Sequence, residues 1–545
     1  MPDATVPETA APPAALRSNA GRAVMTVLRN YGIDTVFGIP GTHNLEFYRP
    51  LEELGIRPVT TRHEQGAGYA ADGWAQQRNL PGVVITTSGP GLLNALSAAG
   101  TAYCESRPLI LLSPGAPEGE EFADIGSLHE TKDSVGAVGA IVQWSRRVRS
   151  SDEAVAAIHE AFELFRYGRP RPVHIEIPLN ILEGPAVWSP GELIARARRT
   201  PAAADPSDVR TAAGILRRAD RPVLVVGGGS VAAGDGLSRL AEVLQAPVIS
   251  TLNGKGAVPE GHPLSLGSDI RLPAAQKLIA GSDALLVVGS KVGEAELWGG
   301  KLSPAGHVIR IDITASQLQK NLAADLGLLG DSRAVVEQLL AEFDGHISVS
   351  PDLAPVRAAM KAEARSQAPQ MGLIAEILAS AVPPGTIIGG DSSQITYFGT
   401  ASFIPQDLPH SLLYTPAYAT LGYGLPASIG AKIGAPERDV VCVVGDGALM
   451  FAVQELATAV EQQLDLTVIC VDNGGYGEIR RNEAERGIPP VGVNLRQPDW
   501  VALAAAFGGH GRRSHPSEQL ADDVRAAVRA GGLQLIHVPV EQSST

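Results

Sequence analysis

The sequence predicts an α/β protein of three doubly wound parallel-sheet domains, and three observations carry that expectation. With 545 residues, and roughly 100–200 residues per domain, the chain is long enough for about three domains. Short apolar runs alternate with helical-looking segments and end in glycine or polar residues, the order expected of parallel α/β units. The first and third regions share this plan and a similar size, as related domains would, although no short-period repeat is present.

Taken in order, MPDATVPETAAPPAALR (residues 1–17) is expected to be a flexible tail, because Pro and Ala there bury too little surface to offset ordering. The first domain is placed at 18–185. PGVVITTSGPG reads as a strand and a glycine turn, LLNALSAAGTAYCES as a helix, PLILLS as the next strand and RPRPVHIEIPLNIL as one more strand. The polar RARRTPAAADPSD then leads to a second domain at 200–346, with buried strands in RPVLVVGGGSVAAG, DALLVVGSKVG and HVIRIDITASQL. A linker containing a helix is expected at 347–371, and a third domain at 372–545. In that domain ERDVVCVVGDGALMFAVQELATAVEQQLDLTVICVDNGGYG reads as strand, Gly-Asp-Gly turn, amphipathic helix, strand and Asp-Asn-Gly-Gly.

Composition excludes several classes. Apolar residues at 44% and charged residues at 19% are ordinary for a globular chain and too apolar for a disordered one. A formal net charge of −14 argues against a nucleic-acid partner, whose phosphates demand a basic face. Cys104, Cys442 and Cys470 sit singly in apolar segments without CxxC spacing, so neither a zinc site nor a disulfide framework is indicated, and a reducing cytoplasm fits best. No apolar run reaches the roughly 18 residues of a membrane span, and the opening segment lacks the basic start and apolar core of a signal peptide.

Two stretches carry chemistry. In TTRHEQGAGYAADGWA one acid, Glu64, stands just ahead of Gly66, Ala67, Gly68, Ala70 and Ala71, with the second acid, Asp72, beyond them, a small and dry setting that strengthens any hydrogen bond the Glu64 carboxyl makes. In the third region Asp446 and Asn473 stand 27 residues apart, one strand–helix–strand crossover, and each follows a strand. Adjacent strands would then deliver one hard oxygen each to the carboxyl edge of a parallel sheet, where ligands bind and helix amino termini offer free N–H groups. Two such oxygens suit Mg²⁺ with phosphate and water completing the shell, and Gly475 could add a backbone carbonyl. Alone, Gly-Asp-Gly would be a plain turn; with Asn473 at crossover distance the diphosphate–Mg²⁺ reading is preferred.

Together RHEQGAGYAADGWA and GDG…DN resemble the thiamine-diphosphate enzymes of the acetohydroxyacid synthase and 2-oxo-acid decarboxylase superfamily. FGIPGTHNLEFY, TSGPGLLNAL, YCESRPLILLS, RPRPVHIEIPLNIL, YATLGYGLPASIGA and QELATAV match in the same order, over residues of about 18–540. The resemblance implies thiamine diphosphate and Mg²⁺ as cofactors and a pyrimidine-binding, a central and a diphosphate-binding domain in that sequence. It implies that Glu64 hydrogen-bonds a ring nitrogen of the aminopyrimidine, favouring the imino tautomer that deprotonates the thiazolium carbon. By the same resemblance Ala419 offers its carbonyl to the pyrimidine amino group and Leu421 props the cofactor's bend. Ser392, Ser393 and Gln394 in GGDSSQITY form a first diphosphate loop, Gly445, Gly447, Ala448 and Tyr476 frame the second, and Pro40 adjoins the cofactor. Asp446, Asn473 and Gly475 are the implied metal ligands. A homodimer or homotetramer is implied, with Glu64 of one subunit meeting Asp446 and Asn473 of the other.

The shared reaction is attack of the cofactor ylide on a 2-oxo acid and loss of CO₂ to an enamine. Protonation then releases an aldehyde, whereas capture by a second 2-oxo acid gives an acetohydroxy acid. Against acetohydroxyacid synthases, Leu128-His129-Glu130 replaces a Phe-Gln-Glu triplet, IVQWSRR lacks a lysine, and NGGYGEIRRNEAERG lacks a tryptophan. Each change touches acceptor handling, so decarboxylation is favoured, with carboligation or a non-catalytic paralogue as rivals. His43 and His129 are candidate proton donors, since imidazoles titrate near neutrality. LHETKD and PVGVNLRQPDW most resemble the bacterial 2-ketoarginine (5-guanidino-2-oxopentanoate) decarboxylases, and Glu478, Glu483 and Glu485 are candidates to face a cationic side chain. Acetohydroxyacid synthases bind FAD at the central domain, but a glycine triplet after a strand is weak evidence. Many decarboxylases keep that domain without flavin, so FAD is not favoured.

Overall fold

A computed structural model of the chain describes residues 16–345 and 351–541. Its framework is three parallel sheets and one small antiparallel pair. The first region supplies β1 (Leu16–Asn19), β2 (Thr35–Gly38), β3 (Arg57–Thr60), β4 (Gly82–Ile85), β5 (Leu109–Gly115), β6 (Trp144–Arg147), β7 (Val173–Pro178) and β8 (Pro185–Trp188). Six of these form a parallel sheet in the order β3-β2-β4-β5-β7-β6, while β1 pairs antiparallel with β8. Residues 1–15 of the expected tail lie outside the described residues, and the other two, Leu16 and Arg17, instead begin β1. They are held there by a backbone ladder to Trp188 and Val187, pairing that composition does not reveal.

The central sheet contains β9 (Pro222–Val226), β10 (Val248–Ser250), β11 (Ala284–Val288), β12 (His307–Asp312) and β13 (Leu326–Leu329), ordered β10-β9-β11-β12-β13. The three strands read from sequence are β9, β11 and β12. The other two are a three-residue and a four-residue strand, too short for an apolar run to announce them. Helices Ala354–Gln367 and Pro369–Ala381 follow, the second beginning ahead of the expected domain start at Gly372.

The third sheet is β15-β14-β16-β17-β19-β18, from β14 (Ile387–Gly390), β15 (Leu412–Leu413), β16 (Val440–Gly445), β17 (Leu466–Asp472), β18 (His510–Arg513) and β19 (Leu533–Pro539). Its inner strands are buried on both faces, as covering helices on both sides of a parallel sheet require.

The first and third units meet along two helices, Glu64–Arg78 and Gly424–Gly434, at glycines. A Cβ on Gly73 would lie 2.0 Å from the Ala427 carbonyl oxygen, and one on Gly430 1.8 Å from that of Ala70. Backbone-to-backbone approach is therefore what the small-residue pattern after Glu64 provides. Two residues of YCESR clasp all three units. Glu105 accepts from the backbone amides of Ala417 (2.9 Å) and Tyr418 (3.2 Å) and from Asn253 (2.7 Å). Arg107 donates to Asp72, to the Tyr423 hydroxyl (2.7 Å), to the Tyr414 carbonyl (3.0 Å) and to Asn253 (3.1 Å).

Candidate active site

Glu64 is the first residue of the Glu64–Arg78 helix, whose first turn is capped by the His63 ring accepting from the Gln65 amide. It is 8% exposed. One carboxylate oxygen accepts from Asn94 (3.0 Å), and the other lies 3.0 Å from where a Cβ on Gly91 would stand. The nearby Tyr48 hydroxyl is buried without a hydrogen-bond partner among the described residues, and burial, with the Glu64 charge adding, pushes its pKa up. Gly66, Ala70 and Gly73 turn toward the third unit: a Cβ on Gly66 would strike Glu455, and the other two meet the Gly424–Gly434 helix. Two residues earlier, Glu64 stands roughly 200° around the helix from Gly66. Its carboxylate therefore points away from its own third unit, toward the loop at 87–89 and the short helix Pro90–Asn94 that follows it.

His43 and His129 border the same loop. His43 Nδ1 shares a 2.7 Å hydrogen bond with Ser88 Oγ, and the two imidazoles meet edge to face with centroids 5.3 Å apart. His129 Nδ1 lies 3.5 Å from both Ser88 Oγ and Thr87 Oγ1. Burial first, and then the neighbouring His129, pull the His43 pKa down, so its neutral form is favoured. Pro40 is exposed just beyond β2.

The second cluster sits at the carboxyl edge of the third sheet. Gly445 pairs with Val471 across β16 and β17, which sets Asp446 beside Asn473. The Asn473 amide donates to Asp446 Oδ1 (3.3 Å), and Gln497 donates to Oδ2 (2.6 Å). Burial, with Asp472 adding, lifts the Asp446 carboxyl to about 6. Asp472 is itself engaged by His537 (2.8 Å) and the Gly474 amide (2.9 Å). Asn473 Oδ1 is buried with no partner among the described residues. The Gly475 carbonyl oxygen lies 3.4 Å from where a Cβ on Gly447 would stand, and Gly475 itself has φ +135°, where a Cβ would strike the Val493 carbonyl. A buried carboxylate oxygen, an orphaned amide oxygen and a carbonyl close together fit a hard divalent cation. Among the described residues there is no cluster of three His, Cys, Asp or Glu, and this oxygen set needs none.

The 392–394 loop joins this crevice. Ser393 stands against Gly445, and Gln394 accepts from Asn473 Nδ2 (3.3 Å). Asp391 at its base is buried, which raises its carboxyl to about 6, and it takes the amides of Ser392 (2.9 Å), Gly422 (3.2 Å) and Gly424 (2.9 Å). That ties the loop to Ala419 and Leu421. Ala419 is left-handed at φ +51°, held by its amide on the Thr415 carbonyl (2.9 Å) and by Glu105 on the two preceding amides. Leu421 is half-buried, Ala448 is buried, and the Tyr476 ring covers Gly447.

The sequence-named residues thus fall into two groups: Pro40, His43, Glu64 and His129 on the first unit, the remainder on the third. Among the described residues no hydrogen bond joins Glu64 to Asp446 or Asn473. The three acids proposed to face a cation are engaged elsewhere: Glu478 by Arg481 (2.6 Å) and Gln394 (3.0 Å), Glu483 by the Val491 amide (3.3 Å), Glu485 by Arg481 (3.6 Å). Sequence reading passed over Asn94, Glu105, Arg107 and Gln497. YCESR was itself a matching segment, so its two charges in an apolar setting were the available signal. In the central unit the amides of Gly227, Gly229 and Ser230 already donate to Val288, Gly289 and Gly227, leaving only that of Gly228 in the GGGS turn for a phosphate.

Residues 18–136, 209–339 and 394–538 match, respectively, the N-terminal TPP binding domain, the central domain and the C-terminal TPP binding domain of thiamine pyrophosphate enzymes. The chain is 39% identical over 529 residues to the probable 2-ketoarginine decarboxylase AruI of Pseudomonas aeruginosa, covering 95% of this chain and 93% of that protein. It is 32% identical to the acetolactate synthase large subunit IlvB1 of Mycobacterium tuberculosis, over 93% of this chain and 85% of that one. With the acetolactate synthase isozyme 3 large subunit of Escherichia coli the identity is 30%, over 95% and 94%.

Proposed function

This chain belongs to the thiamine pyrophosphate enzyme family, and on that premise we propose that it is a Mg²⁺-dependent decarboxylase that releases CO₂ and an aldehyde from a 2-oxo acid. The observation that carries decarboxylation is the His43–Ser88–His129 cluster bordering the same loop as Glu64. Bound thiamine diphosphate supplies the nucleophilic carbon and the electron sink. Asp446, Asn473 and the Gly475 carbonyl would hold Mg²⁺ beside the diphosphate end of the cofactor. Ser392, Ser393 and Gln394 line the other side. Leu421 would support the cofactor, Ala419 would accept from its amino group, and Glu64 would share a proton with its pyrimidine ring. His43, neutral by burial, accepts and returns a proton at Nε2 while Ser88 holds Nδ1. His129 serves the same face.

Because Glu64 faces away from its own third unit, we assign the metal end of its site to a second copy of the chain, in a homodimer or homotetramer. The exposed apolar side chains of Leu93, Tyr418, Met450 and Phe451 flank the two half-sites and would be covered there. Similarity to AruI favours a substrate like 2-ketoarginine; similarity to acetolactate synthases keeps carboligation as the second reading. Incubating the loaded enzyme with a panel of 2-oxo acids and identifying products by mass decides between them: aldehydes support the proposal, and acetolactate from pyruvate overturns it. Asp446→Ala is expected to weaken Mg²⁺-dependent thiamine diphosphate binding by more than the roughly 10–100-fold that an outer-shell change costs. Titration of the cofactor with and without Mg²⁺ checks this.

A further inference from the structure

A small pocket lies between the loops after the central strands and the two loops assigned to the cofactor. It is a cavity of about 40 Å³ walled by Leu252, Trp298, Tyr397 and Tyr414. Tyr397 belongs to the segment that carries Gln394, and Tyr414 leads into the one that carries Ala419 and Leu421. The pocket therefore adjoins two segments that carry residues assigned to the cofactor.

Its charges are unequal. Asp269 is paired with Arg271 (3.3 Å) and accepts from Ser402 (3.0 Å), and the Arg271 guanidinium carbon lies over Trp298, 4.1 Å from the ring centroid. Glu296 has no such partner. One oxygen accepts the Leu252 amide at 3.2 Å, and the other takes no hydrogen bond among the described residues. Desolvation, with Glu105 adding a like charge, raises its carboxyl to about 7. A carboxylate walled by aromatic rings, with one charge left over, suits a planar cation that can stack and donate two hydrogen bonds.

Resting on the decarboxylase reading, we infer that Glu296 is the specificity residue of this enzyme, pairing with a guanidinium at the far end of the 2-oxo-acid substrate. The acids on the Gly477–Glu485 helix already have partners in Arg481, Gln394 and the Val491 amide, whereas Glu296 keeps one oxygen without a hydrogen bond among the described residues.

Two measurements on cofactor-loaded wild type and Glu296→Gln test this. The first is KM for a 2-oxo acid ending in guanidinium against an unbranched apolar 2-oxo acid of equal length. The variant is expected to raise KM roughly 10²-fold for the cation, from loss of one partner of a buried pair, with kcat and the apolar substrate unchanged. An equal rise for both substrates, or a wild type that prefers the apolar one, overturns the inference. The second is calorimetric binding of unreactive 5-guanidinopentanoate, which needs no turnover. Binding that weakens at least tenfold in the variant supports the pairing even if no 2-oxo acid is decarboxylated, an outcome that would instead remove the decarboxylase reading. Equal binding to both proteins overturns it.

Discussion

Glu64→Gln is expected to lower turnover on the order of 10²–10⁴-fold, the usual worth of a positioned proton-transfer group, while leaving the fold and Mg²⁺-dependent cofactor binding in place. The isosteric amide keeps the bond from Asn94 available and fills the same space beside Gly91. What it removes is the shared proton with the pyrimidine ring, so the loss belongs in kcat and not in cofactor affinity. Steady-state kinetics beside a cofactor titration check the split. A variant that retained near-wild-type kcat would place the carboxylate outside the chemistry.

Arg107→Ala is expected to destabilise the protein by about 3–5 kcal/mol, because it leaves the Asp72 carboxylate buried without its counter-charge. The two side chains are only 9% and 6% exposed, and the Tyr423 hydroxyl bonds to both of them. Lysine would not repair the site, since four acceptors on three units are reached by one planar fork. Replacing both partners, Arg107→Met with Asp72→Asn, should cost less than the sum of the single changes, as coupled neighbours do. Denaturant midpoints measured with unchanged slope provide the cycle. Additive losses would mean that the ion pair contributes nothing of its own.

The two halves of the site differed in how openly the sequence displayed them. Asp446 and Asn473 were legible because a parallel crossover has a fixed plan: two apolar strands, each ending in polar residues, bring those ends together. Glu64 was legible because one acid ahead of glycines and alanines has few structural reasons to be there. The glycines proved to serve the helix crossing at Ala427 and Ala70 as well as dryness. What stayed hidden depends on distant chain segments meeting. Glu105 and Arg107 act on residues from 35 to 316 positions away, and Gln497 reaches Asp446 from 51 positions on. The single amphipathic helix expected after Gly-Asp-Gly is instead a short turn of helix, Asp446–Leu449, and a second helix, Glu455–Glu461. The break leaves Met450 and Phe451 exposed, which the periodicity of one continuous helix does not anticipate. Edge strands β6 and β18 read WSRR and HGRR, with no apolar run to mark them.

Under the proposed assignment, Glu64 of one subunit works with Asp446 of another. Subunit exchange between Glu64→Gln and Asp446→Ala, each inactive alone, tests it most directly. Shared sites in a symmetric dimer predict recovery of about a quarter of wild-type activity after mixing, because half the dimers are mixed and each of those rebuilds one intact site of two. No recovery from a mixture shown by mass to contain the mixed dimers would contradict it.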